Sequence, residues 1–300
     1  MSKPVEFFYD LVNYPHLARA AITAVVIGLV SGVVGSLIIL RGLSLMGDAI
    51  SHAVMPGIAV SFFFGVNIFF GALVSGLLAA AGIGFINSNS RLKRDTSIGI
   101  IFTAFLAAGV ILLARTESSV SLQAILFGDV LATSPSQMWQ SVIITVVITT
   151  LIVMFYKQLQ ITTMDAQLAT AYGFPTKMIN YAVLIALAVV TVSAVQTVGV
   201  ILVVAMLVTP AASAFLLSKK FSTMMILGAV LGMLSSIMGM YFSYRFELQS
   251  GPAIVLVAFA MFVLAFLLSP HQGFVWTQLH KLRDRRSIQH SPAPQEGSSL

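Results

Sequence analysis

Nine long apolar runs joined by short polar connections restrict this chain to one environment. They lie near Ala18 to Leu40, Ala49 to Phe64, Val66 to Ile86, Ser97 to Ala114, Met138 to Phe155, Met178 to Val195, Val198 to Leu217, Met224 to Tyr244 and Ala253 to Leu268. Most approach the ~20 residues a helix needs to cross the hydrocarbon core of a bilayer. Lipid offers no partner to backbone N–H and C=O groups, so such runs satisfy themselves as helices. The expectation is an all-α, polytopic membrane helix bundle of eight or nine transmembrane helices.

Charge agrees. Only 9% of residues are charged and 58% are hydrophobic, against about a quarter charged in soluble domains. A chain of 300 residues has no room for nine spans and a sizeable soluble domain as well, so any energy-coupling domain belongs to another polypeptide. The net charge of +6 sits in short clusters between apolar runs, which argues against nucleic acid as a partner. If the second run starts from the cytoplasm, inside segments hold Arg41, Arg91, Lys93, Arg94, Lys157, Lys177, Lys219, Lys220, Lys281, Arg283, Arg285 and Arg286. Lys3, Arg19, Arg115 and Arg245 fall outside, a positive-inside bias that puts the N-terminus outside and the C-terminus in the cytoplasm. With no cysteine, disulfides and thiolate ligands are excluded.

Residues 1–17 read as an interfacial N-terminal segment without a signal peptide's basic start, 18–286 as the transmembrane domain, and 287–300 as a disordered polar tail. Small residues at helix-packing spacing, Gly28 with Gly32, Gly228 with Gly232 and Ser235 with Gly239, predict close backbone approach. Pro56 and Pro210 should kink or interrupt their helices.

Within this apolar background, Asp48 and His52 are an ionisable pair at helical spacing. Residues four apart share a face, and ionisable groups in hydrocarbon mark an ion path by default. The bland alternative is a helix-capping Asp48 and an internally satisfied His52. Carboxylate with imidazole suits first-row divalent metals, and Met55 stands three residues further on roughly the same face. One chain supplies only two strong ligands, so a symmetric pair of chains is expected to complete the set. Asp129, the lone charge of the short apolar stretch Leu122 to Leu131, is a secondary candidate for the path; a turn beside Gly128 is its structural alternative.

Between spans, Asp165 can begin a short helix and Gly173 followed by Pro175 can end it, giving a two-turn element near 164–174 that includes Leu168 and Ala169. It is either a docking helix or an ordinary connection. No Gly-x-x-x-x-Gly-Lys-Ser/Thr loop occurs, so the chain is not expected to hydrolyse ATP, and no His-Glu-x-x-His motif supports an intramembrane metalloenzyme.

These residues carry a resemblance. Arg41-Gly42-Leu43-Ser44-Leu45-Met46-Gly47-Asp48-Ala49-Ile50-Ser51-His52-Ala53 resembles the hallmark of the permease subunits of bacterial ABC-type manganese, zinc and iron importers. Leu126 to Asp129, Asp165 to Gly173, Gln196 to Gly199 and Ala205 to Ala212 support it over nearly the whole chain. The resemblance implies a type II ABC importer-like fold in the bacterial plasma membrane, a second copy of the chain, two cytoplasmic ABC ATPases and an extracellular metal-binding receptor. It implies that Asp48 and His52 coordinate the transported metal and that Asp165, Leu168, Ala169 and Gly173 belong to a coupling helix. Relatives often carry a second acid after that aspartate, where this chain has Ala166. The Leu-Met-Gly-Asp-Ala-Ile-Ser-His form is most similar to manganese permeases of Gram-positive bacteria, so Mn2+ is the expected cargo, with Zn2+ or Fe2+ as alternatives and no permanently bound cofactor. The competing expectation is a proton-coupled secondary transporter of divalent metal.

Overall fold

In a computed structural model, residues 3–115, 128 and 130–269 are described. The expected short helix around 122–131, including Asp129, and the tail from 287 therefore lie almost wholly outside the described residues. Among these residues thirteen α-helices follow one another: α1 Lys3–Asn13, α2 Pro15–Leu40, α3 Ser44–Ala53, α4 Met55–Phe64, α5 Ile68–Asn89, α6 Arg94–Ala114, α7 Pro135–Met154, α8 Tyr156–Met164, α9 Ala166–Ala171, α10 Thr176–Val198, α11 Val200–Leu217, α12 Phe221–Phe246 and α13 Ser250–Leu268. Among the described residues nine spans are long and apolar enough to cross a membrane, with α3 and α4 together making one of them. All nine expected runs are present. The second begins at Ser44, earlier than hydropathy suggested, because Asp48 depresses the apolar average of a turn that is nonetheless helical.

The centre is α2, packed against α7, α10, α11 and α12. Its contact with α12 is backbone on backbone. A Cβ on Gly28 would overlap the Gly232 carbonyl, and one on Gly32 would overlap that of Gly228, so the two helices run antiparallel with glycine facing glycine. Ser236 Oγ donates to the Ala24 carbonyl at 2.9 Å across the same seam. In lipid, where no hydrophobic force drives helices together, this close approach supplies dispersion contact that larger residues would prevent. α11, α12 and α13 pack on one another beside α2. On the other side, α4 lies against α5 and α6, and α5 against α10. The amphipathic α1 is held by Phe7, whose ring stands edge-on to Tyr241 at 5.5 Å, and by Asp10, which accepts from the Tyr244 hydroxyl.

The two prolines behave differently. Pro56 sits in the first turn of α4, just past a break at Val54. With no N–H it cannot donate to the carbonyl of His52, four residues back. The break is held on its flank by α5: Ser75 Oγ donates to the Ala53 carbonyl at 2.6 Å, and Gly57 lies against the Gly71 backbone. Pro210, by contrast, lies inside α11, which runs through it without interruption. The interruption in that region comes instead at Gly199, whose φ of +80° separates α10 from α11. Gly128 fits into that corner so closely that a Cβ would overlap the Gly199 amide.

Candidate metal site

α3 carries the site. Its inner face is fixed by Met46, Gly47, Ile50 and Ser51, all buried, with Gly47 close to the Leu207 side chain of α11. Ser51 Oγ donates to the Gly47 carbonyl at 2.7 Å, satisfying its hydroxyl within the helix. The same register turns Asp48 and His52 outward together. His52 Nε2 lies 3.6 Å from Asp48 Oδ1, and their side chains are 22% and 45% exposed. At that separation they form a loose pair, beyond ordinary hydrogen-bond length, leaving both heteroatoms able to turn to a third group. His52 is steadied by Phe102 of α6, whose ring meets it edge-on at 5.3 Å. His52 Nδ1 is buried with no partner, so the orientation of the ring is set by packing and not by a second hydrogen bond.

Among the described residues, no cluster of three or more His, Asp or Glu side chains forms that could hold a metal. Met55 opens α4 beyond the break and is buried, its Cβ facing Gly109 of α6, so it does not continue the exposed face of Asp48 and His52. Asp129 lies outside the described residues.

The expected short helix is present as α9. Asp165 accepts from the Gln167 and Leu168 amides, both at 2.9 Å, and so caps its N-terminus. Gly173, at φ +79°, ends it, and the Phe174 amide returns to the Ala169 carbonyl at 3.0 Å. These are the start and stop chemistries the sequence predicted. Leu168 and Tyr172 are 48% and 70% exposed, whereas Ala169 is fully buried, so the outward face is the Leu168–Tyr172 face and Ala169 seats the helix on the body.

Arg41, which the sequence predicts as a cytoplasmic loop charge opening the Arg41 to Ala53 hallmark stretch, ties these two regions together. It stands between α2 and α3, and its guanidinium donates from Nε to Thr163 at 3.1 Å, from one terminal nitrogen to Asn180 at 2.5 Å and from the other to Thr162 at 3.0 Å. The Arg94 guanidinium in turn donates to the Arg41 carbonyl at 3.0 Å. Burial, with Arg94 adding to it, pushes the Arg41 guanidinium down to about 10, so it remains charged at neutral pH. The only signal available earlier was its position directly ahead of the Leu43 to His52 stretch; partners more than a hundred residues away leave no local trace.

Comparison with known proteins decides the family, because residues 13–269 match the ABC 3 transport family. The chain belongs to that family. It is 52% identical over 272 residues to the "manganese transport system membrane protein MntC" of Listeria monocytogenes, covering 91% of this chain and 97% of that protein. It is 46% identical over 270 residues to the "manganese import system permease protein ScaB" of Streptococcus gordonii, covering 90% and 97%. Among solved structures, "PsaBC from Streptococcus pneumoniae in complex with Fab" superposes with a TM-score of 0.83 at 44% identity, covering 91% of this chain and 99% of that one. A more distant relative, a "probable iron transport system membrane protein" of Haemophilus influenzae, is 36% identical, covering 88% and 97%.

Proposed function

We propose that this ABC 3 chain is the permease of an ATP-driven importer of divalent metal, with Mn2+ as cargo. The observation that carries the reading is the Asp48–His52 pair: a carboxylate and an imidazole 3.6 Å apart, partly exposed on a transmembrane helix, and too few to hold an ion alone. A second copy presenting the same face across a two-fold axis doubles the set to two carboxylates and two imidazoles, enough to replace much of a hydration shell. The manganese named for the Listeria and Streptococcus relatives favours that metal over zinc or iron.

Energy then enters from two ATPase subunits docked on α9 in each copy, and cargo from an extracellular receptor. ATP-driven closure of the ATPases moves α9, and the ion site alternates between outward and inward exposure. The charge bias of the loops supports an orientation with Arg41, Arg94 and α9 on the cytoplasmic side and the N-terminus outside.

Uptake of radioactive manganese into vesicles containing this chain, its ATPase and its receptor tests the reading. The expected result is ATP-dependent uptake that is lost in His52→Ala and in Asp48→Ala, both still associating with the ATPase. Normal uptake in both variants would remove the site. Uptake indifferent to ATP but driven by a proton gradient would replace the importer with a secondary transporter.

A further inference from the structure

At the end of the bundle holding Arg41, the tips of α5, α6 and α10 and the end of α8 enclose a cavity of about 550 Å3. Its polar mouth and its floor differ in kind. Among the described residues Arg41, Arg94 and Lys177 line it, and no carboxylate does. Arg41 is hydrogen-bonded only to the neutral side chains of Thr162, Thr163 and Asn180, and Arg94 to a backbone carbonyl. Among the described residues none of the three cations has an acid within ion-pair distance. Asp165, next in sequence to the lining residue Ala166, spends its carboxylate on the Gln167 and Leu168 amides. The floor is apolar, built from Met46, Ile83, Ile98 and Leu184.

Like charges gathered with one partly desolvated, and without a countercharge, call for an anion. We propose that this cavity binds the phosphate group of an anionic phospholipid, with Arg94 and Lys177 meeting the headgroup at the mouth and Arg41 supplying charge from behind. The amphiphile suits both surfaces, the phosphate at the cationic mouth and the start of an acyl chain on the apolar floor. The location also suits it, since the ends of spans are where headgroups lie and basic pockets between helices recognise them. Two of the walls, α5 and α6, belong to spans only 33% and 17% buried by the described chain, which leaves much of their surface uncovered by it. A carboxylate from a docked protein would fill a small part of the space and leave the floor uncovered. The inference needs the chain only to be membrane-embedded, so it stands or falls separately from the metal assignment.

The test is native mass spectrometry of the purified chain, alone and with its ATPase, in detergent carrying phosphatidylglycerol or phosphatidylcholine. Native protein retains phosphatidylglycerol in preference, and Arg94→Gln with Lys177→Gln weakens that retention by about thirtyfold, the sum of two basic contacts to an anionic headgroup. Lys219→Gln with Lys220→Gln, an equal loss of charge outside the cavity, leaves it unchanged. Both double variants must elute as folded protein; their altered residues are exposed, so they are expected to. Equal retention of the two lipids, or equal loss in both double variants, overturns the proposal. Inorganic phosphate binding as tightly as the lipid, with the same dependence on Arg94 and Lys177, overturns the lipid as source while keeping phosphate as the ligand. Lipid expelled whenever the ATPase binds overturns it in favour of a protein contact.

Discussion

Replacing Arg41 by alanine should separate ATP hydrolysis from metal movement. The side chain joins the residue that leads into α3, which carries Asp48 and His52, to Thr162 and Thr163 at the end of α8, immediately before the capped start of α9. Three donor contacts are lost together. Hydrogen bonds from a charged donor contribute roughly 1.5–3 kcal/mol each where buried, and much less where water can replace them. Asn180 is exposed and rehydrates, and Thr162 keeps its own bond to the Gln158 carbonyl at 2.7 Å, so little is left unsatisfied. The net loss is therefore about 2 kcal/mol, or about thirtyfold in the preference for the clasped arrangement. In vesicles holding the permease with its ATPase and receptor, manganese moved per ATP hydrolysed should fall by about tenfold or more in Arg41→Ala, with manganese binding and ATPase association kept. Arg41→Lys, whose single ammonium cannot span three partners, should fall in between. A native transport-to-hydrolysis ratio in Arg41→Ala would refute the clasp, and loss of metal binding along with transport would reduce Arg41 to a support for the site.

Other outcomes follow from the packing. Gly32→Ala, which drives a Cβ into the Gly228 backbone, should cost about 1–3 kcal/mol in a detergent unfolding titration, whereas Gly99→Ala, with nothing within 4 Å, should be neutral or slightly stabilising. Leu168→Asp or Tyr172→Asp should weaken ATPase association without lowering thermal stability, and Ala169→Trp, at a fully buried position, should lower stability first; a pull-down and a melting curve distinguish them. Ser75→Ala removes the 2.6 Å bond that holds the α3–α4 break and should destabilise by about 1 kcal/mol in the same titration.

Much of this was legible because membrane folding is dominated by local rules. The apolar runs, the Asp165 cap and the Gly173 stop act within a few residues, and the glycine pairs at 28, 32, 228 and 232 advertised a close approach, though not that they meet each other. The pairing of Asp48 with His52 followed from helical spacing alone. What escaped depends on contacts between distant segments: the Arg41 clasp, the ring of Phe102 on His52, and Gly128 seated at the Gly199 corner. Pro210 is a residue type that kinks or interrupts a helix; α11 runs through it, and the interruption in that region lies at Gly199. Helical spacing sets Met55 roughly in line with His52, but packing against Gly109 of α6 buries it away from the exposed Asp48–His52 face.

That break also sets the leverage of the site. α3, Ser44–Ala53, joins α4 through Val54, and the Pro56 ring leaves the His52 carbonyl without its helical donor, so a small rotation of α3 against α4 costs less there than inside an unbroken helix. Side-chain tips stand about 5–6 Å from a helix axis, so a swivel of about 20° carries the Asp48 carboxylate through about 2 Å. Oxygen ligands hold hard divalent ions at roughly 2.0–2.6 Å, so a displacement of that size is the difference between grip and release.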